Sequence, residues 1–424
     1  MERYKEYKDS GVLWIGQIPS HWNLRRLKTI ATCNDESLTE KYDQDKEIEY
    51  VEIGDVDSID GIKSLTKYKF KDAPSRARRI TRVGDIIIST VRTYLKAIAF
   101  IEVPDLIVST GFAVLRPIYV NPKYLAYSTM CDGFTDEVLR YSIGISYPAI
   151  SSNDLLRLKV PLPPICEQEK IVCYIESKTS KIDAYIAEKE KEVKLLYELK
   201  EAEIAKVVTQ GLNPNVKMKD SGISWIGMIP EHWDVKRIAS LFIGKVNTNT
   251  DFAYKHAFKF NYGTLVPKDE VGDVEEYRET YVKYQVIQKD DILINGLNLN
   301  YDFVSQRVAI APTDGIITSA YIVVRPRKGT NADYYNYLFK AMDSKKLFHG
   351  MGTGIRLTLS FDELKKQLVV CPPKDEKQAI VSYIDGKCAK ITSLISELES
   401  EIDYLKEYKQ RLIADCVTGQ VKVI

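Results

Sequence analysis

Basic side chains crowd one short stretch of the first hundred residues. The segment from Lys67 to Arg82, KYKFKDAPSRARRITR, carries seven basic residues against a single acid. At this density, and with Tyr68 and Phe70 between the charges, such a run favours contact with phosphates. The alternative interpretation is a charged face that contacts only water. The residues predicted to contact a phosphate backbone or base edges are Lys67, Lys69, Lys71, Arg76, Arg78 and Arg79, together with Arg92 and Lys96 just after the strand-like GDIII.

Polar side chains that suit base edges occur in the second half of the chain. They lie in YRETYVKYQ (277–285), in NGLNLNYDFVSQR (295–307) and in the glycine-rich HGMGTGIRLTLS (349–360). Asn and Gln can pair bidentately with adenine, and Arg with guanine. The candidates here are Arg278, Lys283, Asn298, Asn300, Gln306, Arg307 and Arg356.

Catalytic and metal-binding signatures are missing from the sequence. It contains no G-x-x-x-x-G-K-[ST], G-x-G-x-x-G, G-x-S-x-G or H-E-x-x-H motif, and no Asn/Asp-Pro-Pro-Tyr signature of amino methylation. The seven cysteines include no C-x-x-C pair, which favours reduced interior thiols over a zinc site. We therefore predict no catalytic residue, no metal ligand and no bound cofactor.

The chain repeats itself. KDSGVLWIGQIPSHW (8–22) returns as KDSGISWIGMIPEHW (219–233), with 11 of 15 residues identical. The four tryptophans of the chain all lie in these two segments. Buried indoles that anchor a strap onto each domain are the favoured interpretation, and a docking surface for another subunit is the alternative. His21 and His232 share this Trp-rich setting, where structural hydrogen bonds are expected rather than catalysis.

The repeat continues at an offset of about 210 residues, which is the size of a whole module. Short β-branched and aromatic runs bounded by Gly, Asp and Pro predict mixed α/β globular parts. Helices are expected around Pro122–Met130 and Ala332–Phe348. The predicted domains are 1–165 and 214–373, followed by long helices at 166–213 and 374–424, with Asp375 as the cap of the second helix.

Both long helices carry an apolar stripe. Five residues of the second helix recur at intervals of seven, which is typical of a coiled-coil seam. We expect the helices to pair with each other and to run antiparallel, which gives an α+β fold with a pseudo-two-fold internal duplication; packing of each stripe on its own domain is the alternative. The predicted helix–helix contacts are Ile175, Ile182, Ile186, Val193 and Leu196 in the first helix, and Ile384, Ile391, Leu398, Leu405 and Leu412 in the second.

Composition limits the classes that remain. The 424 residues are 45% hydrophobic and 28% charged, with a net charge of +1, which is typical of globular proteins with a real core. No apolar run is long enough to span a membrane, and the first residues lack the apolar segment of a signal peptide. A cytoplasmic protein is therefore expected.

These motifs resemble the specificity subunit of type I restriction–modification systems. The resemblance covers essentially the whole chain and is carried by the SGxxWIGxIPxHW segments, by PLPPICEQEKI (161–171) and by the repeated order of domain and helix. The second helix start, PPKDEKQAI, departs from that pattern at Glu376-Lys377.

The resemblance implies a non-catalytic subunit that binds a bipartite site in double-stranded DNA, one domain per half-site. It implies as partners two methyltransferase subunits that use S-adenosylmethionine, and two restriction subunits that use ATP and Mg²⁺. Apolar residues outside the seam, Val172, Tyr174, Tyr185, Tyr383, Leu394 and Tyr404, are expected to dock these partners.

Two other functions compete with this expectation. A scaffold with duplicated ligand-binding modules on a coiled coil would also explain the repeat, without DNA. A stand-alone modification enzyme is disfavoured, because the cofactor signatures are missing.

Overall fold

The computed structural model describes residues 2–57, 61–244, 247–269, 272–354 and 357–423. The chain divides into two compact units: unit 1 is Met1–Glu190 with Ser400–Ile424, and unit 2 is Lys191–Glu399. Each unit contains one globular α+β part, the beginning of one long helix and the end of the other. The boundaries predicted from the sequence separate helices from globular parts, whereas the compact units combine them.

Unit 1 is built on two four-stranded sheets. One sheet has the strand order β11-β10-β13-β4 and is antiparallel, and the other has the order β8-β5-β12-β9, in which β5 and β12 are parallel. The strands are β1 (Tyr7–Asp9), β2 (Gln17–Pro19), β3 (Asn23–Arg26), β4 (Ala31–Cys33), β5 (Glu47–Val51), β6 (Val56–Asp57), β7 (Gly61–Ile62), β8 (Thr66–Lys69), β9 (Ala77–Ile80), β10 (Ile86–Ser89), β11 (Ile98–Phe100), β12 (Ile107–Ser109), β13 (Phe112–Pro117) and β14 (Lys159–Leu162). The helices are α1 (Pro122–Met130), α2 (Asp132–Arg140), α3 (Ser152–Leu155) and the long α4 (Ile165–Gln210).

Unit 2 repeats the first of these sheets with the order β18-β25-β22-β23. The strap hairpin and the strand pair beside the long helix also recur: β1-β2 and β3-β14 correspond to β15-β16 and β17-β26. The strands are β15 (Met218–Asp220), β16 (Met228–Pro230), β17 (Asp234–Arg237), β18 (Phe242–Ile243), β19 (Phe258–Asn261), β20 (Thr264–Pro267), β21 (Gln285–Ile287), β22 (Ile292–Ile294), β23 (Val308–Ile310), β24 (Gly315–Ile317), β25 (Ile322–Pro326) and β26 (Leu368–Cys371). The helices are α5 (Ile238–Leu241), α6 (Arg278–Tyr281), α7 (Ala332–Ser344), α8 (Phe361–Leu364) and the long α9 (Lys374–Val417).

The long helices run antiparallel within each unit. In unit 1, Lys409 of α9 pairs with Asp183 of α4 at 2.6 Å, and further along α4 the hydroxyl of Tyr185 donates to Glu401 at 3.1 Å. In unit 2, Lys200 of α4 donates to Thr392 of α9 at 2.9 Å, and Tyr383 donates to Glu203. In both units the residue numbers of α4 increase along the pair of helices while those of their partners on α9 decrease, as antiparallel helices require. Helix α9 begins at Lys374, so Asp375 lies in its first turn and does not precede the helix.

The apolar stripe serves two kinds of packing. Near the helix ends it joins the globular cores: Ile175, Ile182 and Leu412 pack in the core of unit 1, and Ile384 in that of unit 2. The other predicted seam residues lie away from these cores. Of them, Ile186, Ile391 and Leu398 are buried, while Val193, Leu196 and Leu405 are half-buried.

A tryptophan anchor joins three elements in each unit. The indole of Trp22 is fully buried and donates to Glu167 in the first turn of α4 at 2.6 Å, and His21 contacts the same carboxylate at 2.9 Å. A Cβ added to Gly419, just after α9, would approach the Trp22 ring to 3.1 Å. The strap, the start of one long helix and the end of the other therefore meet at one indole. The histidine is structural, as predicted.

Unit 2 repeats this anchor. Trp233 donates to Glu376 in the first turn of α9 at 2.7 Å, with His232 on the same carboxylate at 2.5 Å. Its ring lies against Gly211, just after α4. The strap interpretation is confirmed for both copies, although only Trp22 and Trp233 are fully buried: Trp14 and Trp225 are half-buried and pack against the cores of units 1 and 2.

The structure bears on two further expectations, that the cysteines are reduced interior thiols and that no segment spans a membrane. All seven cysteines are free thiols, and burial raises the pKa of Cys131 and Cys416 to about 12. Cys166 and Cys173 are exposed on α4, so the expectation of interior thiols is wrong for these two. Among the described residues, no helix combines the length and apolarity that crossing a membrane requires.

The anchor gives a testable prediction. Substitution of Glu167 by Ala leaves the buried indole N–H of Trp22 without an acceptor, which lowers the free energy of unfolding of unit 1 by about 2–3 kcal/mol. Denaturant unfolding followed by tryptophan fluorescence measures the change. Glu169→Ala, an exposed position on the same turn, is the matched control, and equal effects of the two substitutions would contradict the anchor.

Candidate nucleic-acid interface

The basic run of unit 1 is divided by the fold. Lys67 and Lys69 lie on β8, and Arg78 and Arg79 lie on β9. These two strands form opposite edges of the sheet β8-β5-β12-β9, which is about 14 Å wide at ~4.8 Å per strand. The run therefore does not form one continuous basic patch, although it is continuous in sequence.

Carboxylates neutralise several of the predicted contacts. Each of four basic residues pairs with at least one acid, and such exposed pairs contribute about 0–1 kcal/mol to stability. Lys67 pairs with Glu49 (3.2 Å), Lys71 with Asp45 (2.8 Å), Arg78 with Glu40 (3.1 Å), and Lys96 with both Asp132 and Asp136 (3.0 Å each). Among the described residues, no carboxylate pairs with Lys69, Arg76, Arg79 or Arg92.

Two of these unpaired arginines lie on the same edge of unit 1. The carbonyl of Arg76 accepts from Thr110 N–H at 2.8 Å, and the carbonyl of the next residue, Gly111, accepts from Thr90 N–H at 2.8 Å. Arg92 follows two residues later, after the end of β10, with a left-handed backbone (φ 52°). Arg76 and Arg92 are both exposed. We call the loop of residues 90–97 the first reading loop.

A hairpin that the sequence did not single out lies beside Arg92. Ile143 and Ala149 exchange backbone hydrogen bonds of 2.8 and 3.0 Å, and the guanidinium of Arg92 lies 5.4 Å from the centre of the Tyr147 ring. Ile143, Ile145 and Tyr147 point outward, with 83%, 102% and 66% of their surface exposed. The sequence signal was present: apolar residues alternate between Gly144 and Pro148 in a segment that otherwise reads as a loop.

The structure contradicts the prediction that Arg307 contacts a base. Its side chain is fully buried and donates to the carbonyl oxygens of Asn295 (3.1 Å), Leu297 (2.9 Å) and Asp302 (2.6 Å). The backbone N–H of Arg307 donates to the carboxylate of Asp343 at 2.7 Å. Arg307 thus holds residues 295–306 in one conformation. We call this segment the second reading loop.

The other candidates of unit 2 are spread over three places. Asn298 and Gln306 are exposed and Asn300 is half-buried, all on the second reading loop. Arg278 is exposed, pairs with Glu275 at 3.2 Å and lies over the ring of Phe252. Lys283 is exposed, and Arg356 lies outside the described residues.

The tyrosines of YRETYVKYQ face inward on a lysine that sequence reasoning missed. The ammonium group of Lys268 lies 5.4–5.8 Å from the ring centres of Tyr277, Tyr281 and Tyr284. The faces of these three tyrosine rings are therefore engaged in cation–π contacts with a lysine of the same unit. The sequence gives no signal for this contact, because Lys268 lies well before all three tyrosines in the chain.

The reading loops occupy equivalent places in the two units. The first follows β10 and the second follows β22, which are corresponding strands of the duplicated sheet. Each loop is held by a backbone hydrogen bond to the segment that precedes a four-residue helix, α3 in unit 1 and α8 in unit 2. The N–H of Ile150 donates to the carbonyl of Thr90, and the N–H of Leu359 donates to the carbonyl of Gly296, both at 2.9 Å. The scaffold is therefore shared, while the side chains on the loops differ.

The side chains of the reading loops are of kinds that suit recognition. Among the described residues, no group of three or more His, Cys, Asp or Glu side chains is arranged to hold a metal ion. The loops instead offer guanidinium, amide and aromatic groups on rigid supports, and such groups suit recognition of nucleic acid.

Comparisons with known proteins agree with this geometry. The sequence model of the type I restriction modification DNA specificity domain matches residues 19–195 and 230–404. The putative type I restriction enzyme MjaX specificity subunit of Methanocaldococcus jannaschii is 24% identical over 426 residues, which cover 96% of each chain.

Two solved structures have a similar fold. A chain from work on complex assembly and conformational transition of the type I R-M system superposes with a TM-score of 0.70 at 21% identity, covering 95% of this chain and 99% of that one. The HsdS subunit from Thermoanaerobacter tengcongensis gives 0.50 at 22% identity, with coverage of 95% and 98%. The predicted α+β class with a duplicated domain-and-helix module is confirmed.

The buried arginine gives a second prediction. Arg307→Met removes the donors to three carbonyl groups, each of which costs about 1–3 kcal/mol when buried without a partner. We expect the free energy of unfolding of unit 2 to fall by about 3 kcal/mol, and residues 295–306 to become sensitive to limited proteolysis. The exposed Arg278→Met is the control. Equal protease resistance of the two variants would show that Arg307 does not hold the loop.

Proposed function

This chain belongs to the type I restriction modification DNA specificity family, and on that premise we propose that it reads a bipartite DNA sequence, with one half-site for each globular part. The single observation that carries the proposal is the pair of equivalent reading loops. Both loops extend from the same strand of a duplicated sheet and are pinned by the same backbone hydrogen bond. Their exposed side chains differ, as two readers of different base pairs require.

The two loops offer different chemistry to DNA. The first presents Arg92 beside exposed aromatic and aliphatic side chains, whereas the second presents Asn298 and Gln306. A guanidinium group pairs with guanine and amides pair with adenine in the major groove. Lys69 and Arg76 add charges that are free to contact phosphates.

The chemistry on DNA is proposed to belong to partner subunits. In this proposal two methyltransferase subunits bring S-adenosylmethionine, and two restriction subunits use ATP and Mg²⁺, while this chain binds no cofactor. A base held inside the duplex must be extruded before it is methylated, so the DNA has to be positioned by a rigid reader. The firm hold of each reading loop on its sheet supports that role.

The long helices present apolar side chains for these partners. Tyr185, Tyr383, Leu394 and Tyr404 are 38–72% exposed, and they lie outside the seam as predicted for docking residues. Val172 does not share this exposure, since it is buried in the core of unit 1. Aromatic side chains are enriched at protein interfaces, which supports docking on the helices.

Charge substitution tests the first reader. Arg92→Ala in the complex with the methyltransferase subunits should weaken DNA binding about tenfold and relax the preference for guanine at one position of the half-site. Gel-shift titrations with base-substituted DNA, repeated at several salt concentrations, measure both quantities. Lys67→Ala, whose ammonium group already pairs with Glu49, should change neither. Binding that does not depend on salt at all would instead favour the scaffold function.

Loop exchange tests the separation of the half-sites. Replacing residues 295–306 by the corresponding loop of another family member, with Arg307 retained, should alter one half-site and leave the other unchanged. Sequencing of methylated adenines after treatment with the methyltransferase complex shows which half-site has moved. A change in both half-sites would contradict independent reading.

A further inference from the structure

A crevice in unit 2 lies beside the second reading loop, and Val304, Ser305 and Gln306 of that loop form part of its lining. Its volume is about 310 Å³, and it lies between helix α7 and the two long helices. Its lining includes Lys200 of α4, Lys340 of α7 and Cys388 of α9, together with Tyr197 and Tyr337.

Two ammonium groups of this crevice lack a counter-ion. Among the described residues, no carboxylate lies within ion-pair distance of Lys340 or Lys200, and Lys200 instead donates to the neutral Thr392 hydroxyl at 2.9 Å. Burial and the neighbouring charge of Lys200 lower the pKa of Lys340. Two close positive charges, one of them half-buried, are unfavourable unless an anion joins them.

Unit 1 contains the same crevice with its charge satisfied. There Lys409 stands where unit 2 has Lys200, and it pairs with Asp183 at 2.6 Å. Asp183 corresponds to Thr392, and Met130 corresponds to Lys340, at offsets of 209 and 210 residues. Unit 2 therefore has one acid fewer and one base more than unit 1 at equivalent positions of one scaffold.

The acids that line the crevice of unit 2 do not neutralise the pair. Asp343 accepts the N–H of Arg307 at 2.7 Å, and burial raises its pKa. Glu201 lines the crevice but makes no ion pair among the described residues. Lys346 adds a third ammonium group to the lining.

We propose that this crevice binds the phosphate group of a small molecule no larger than a nucleotide. Lysine ammonium groups bind phosphate as point charges, and the hydroxyls of Ser305 and Ser344 in the lining are further donors for its oxygens. A volume of about 310 Å³ matches the smaller ligand pockets of proteins. Inorganic phosphate and a nucleoside monophosphate share this chemistry, and the experiment separates them.

Thermal unfolding of the full chain tests the site. Phosphate at the ionic strength and pH of a chloride control should raise Tm by about 2–4 °C. Lys340→Met and Thr392→Asp install the residues of unit 1, and each should abolish the rise. Thr392→Asp should also raise Tm in chloride, because the new carboxylate pairs with Lys200 as Asp183 pairs with Lys409, so loss of the phosphate effect will not reflect misfolding.

Three comparisons decide the outcome. Lys328→Met, which removes an exposed lysine of unit 2 outside the crevice, should keep the full phosphate effect. A larger rise with adenosine monophosphate than with phosphate assigns a nucleoside phosphate, and an equal rise assigns the phosphate group alone. The proposal is overturned if phosphate leaves the wild-type Tm unchanged, or if both crevice variants respond as the wild type does. DNA binding is not the readout, so the proposed function stands or falls separately.

Discussion

The hydrogen bond between a buried indole and a carboxylate in the first turn of a long helix is the constraint on which each unit depends. Trp22 and Trp233 are fully buried, so their N–H groups cannot reach water and require Glu167 and Glu376. The same rings lie against the glycines that follow the opposite helix ends. One interaction therefore fixes the strap, the start of one helix and the end of the other, and with them the base of the globular part.

The two units share the sheet above that base and differ in the exposed side chains of its loops, where substitutions cost little stability. The duplicated sheet and its buried aspartate–arginine pairs are retained, with Arg116 on Asp85 at 2.9 Å and Arg325 on Asp291 at 2.7 Å. These arginines belong to the scaffold, since the hydrogen bonds that they donate to the aspartates raise the pKa of both guanidinium groups. The exposed side chains of the loops that follow β10 and β22 are not part of these buried pairs, so they are free to diverge toward different base pairs.

Sequence patterns predicted the architecture better than the individual contacts. The heptad stripe and the repeated Trp-rich segment each indicated a long-range feature that the structure contains, because periodicity and repetition report the buried face directly. Arg307 shows the limit: its residue type suits a guanine edge, yet its side chain is buried under the loop that it organises. Residue type alone does not distinguish an arginine that contacts DNA from one that binds backbone carbonyls.

The sequence by itself determined the duplication, the two long helices, their apolar stripe and the family. Each of these is encoded by the order of residues along the chain, so no distant contact is needed to see it. Only the tertiary structure decided which charges are available. It placed the halves of one basic run on opposite edges of a sheet, and it put Asp132 and Asp136 beside Lys96 and left Lys340 without an acid. The reason is physical: the energy of a charge depends on the neighbours that folding brings within a few ångströms, and those neighbours are distant in sequence.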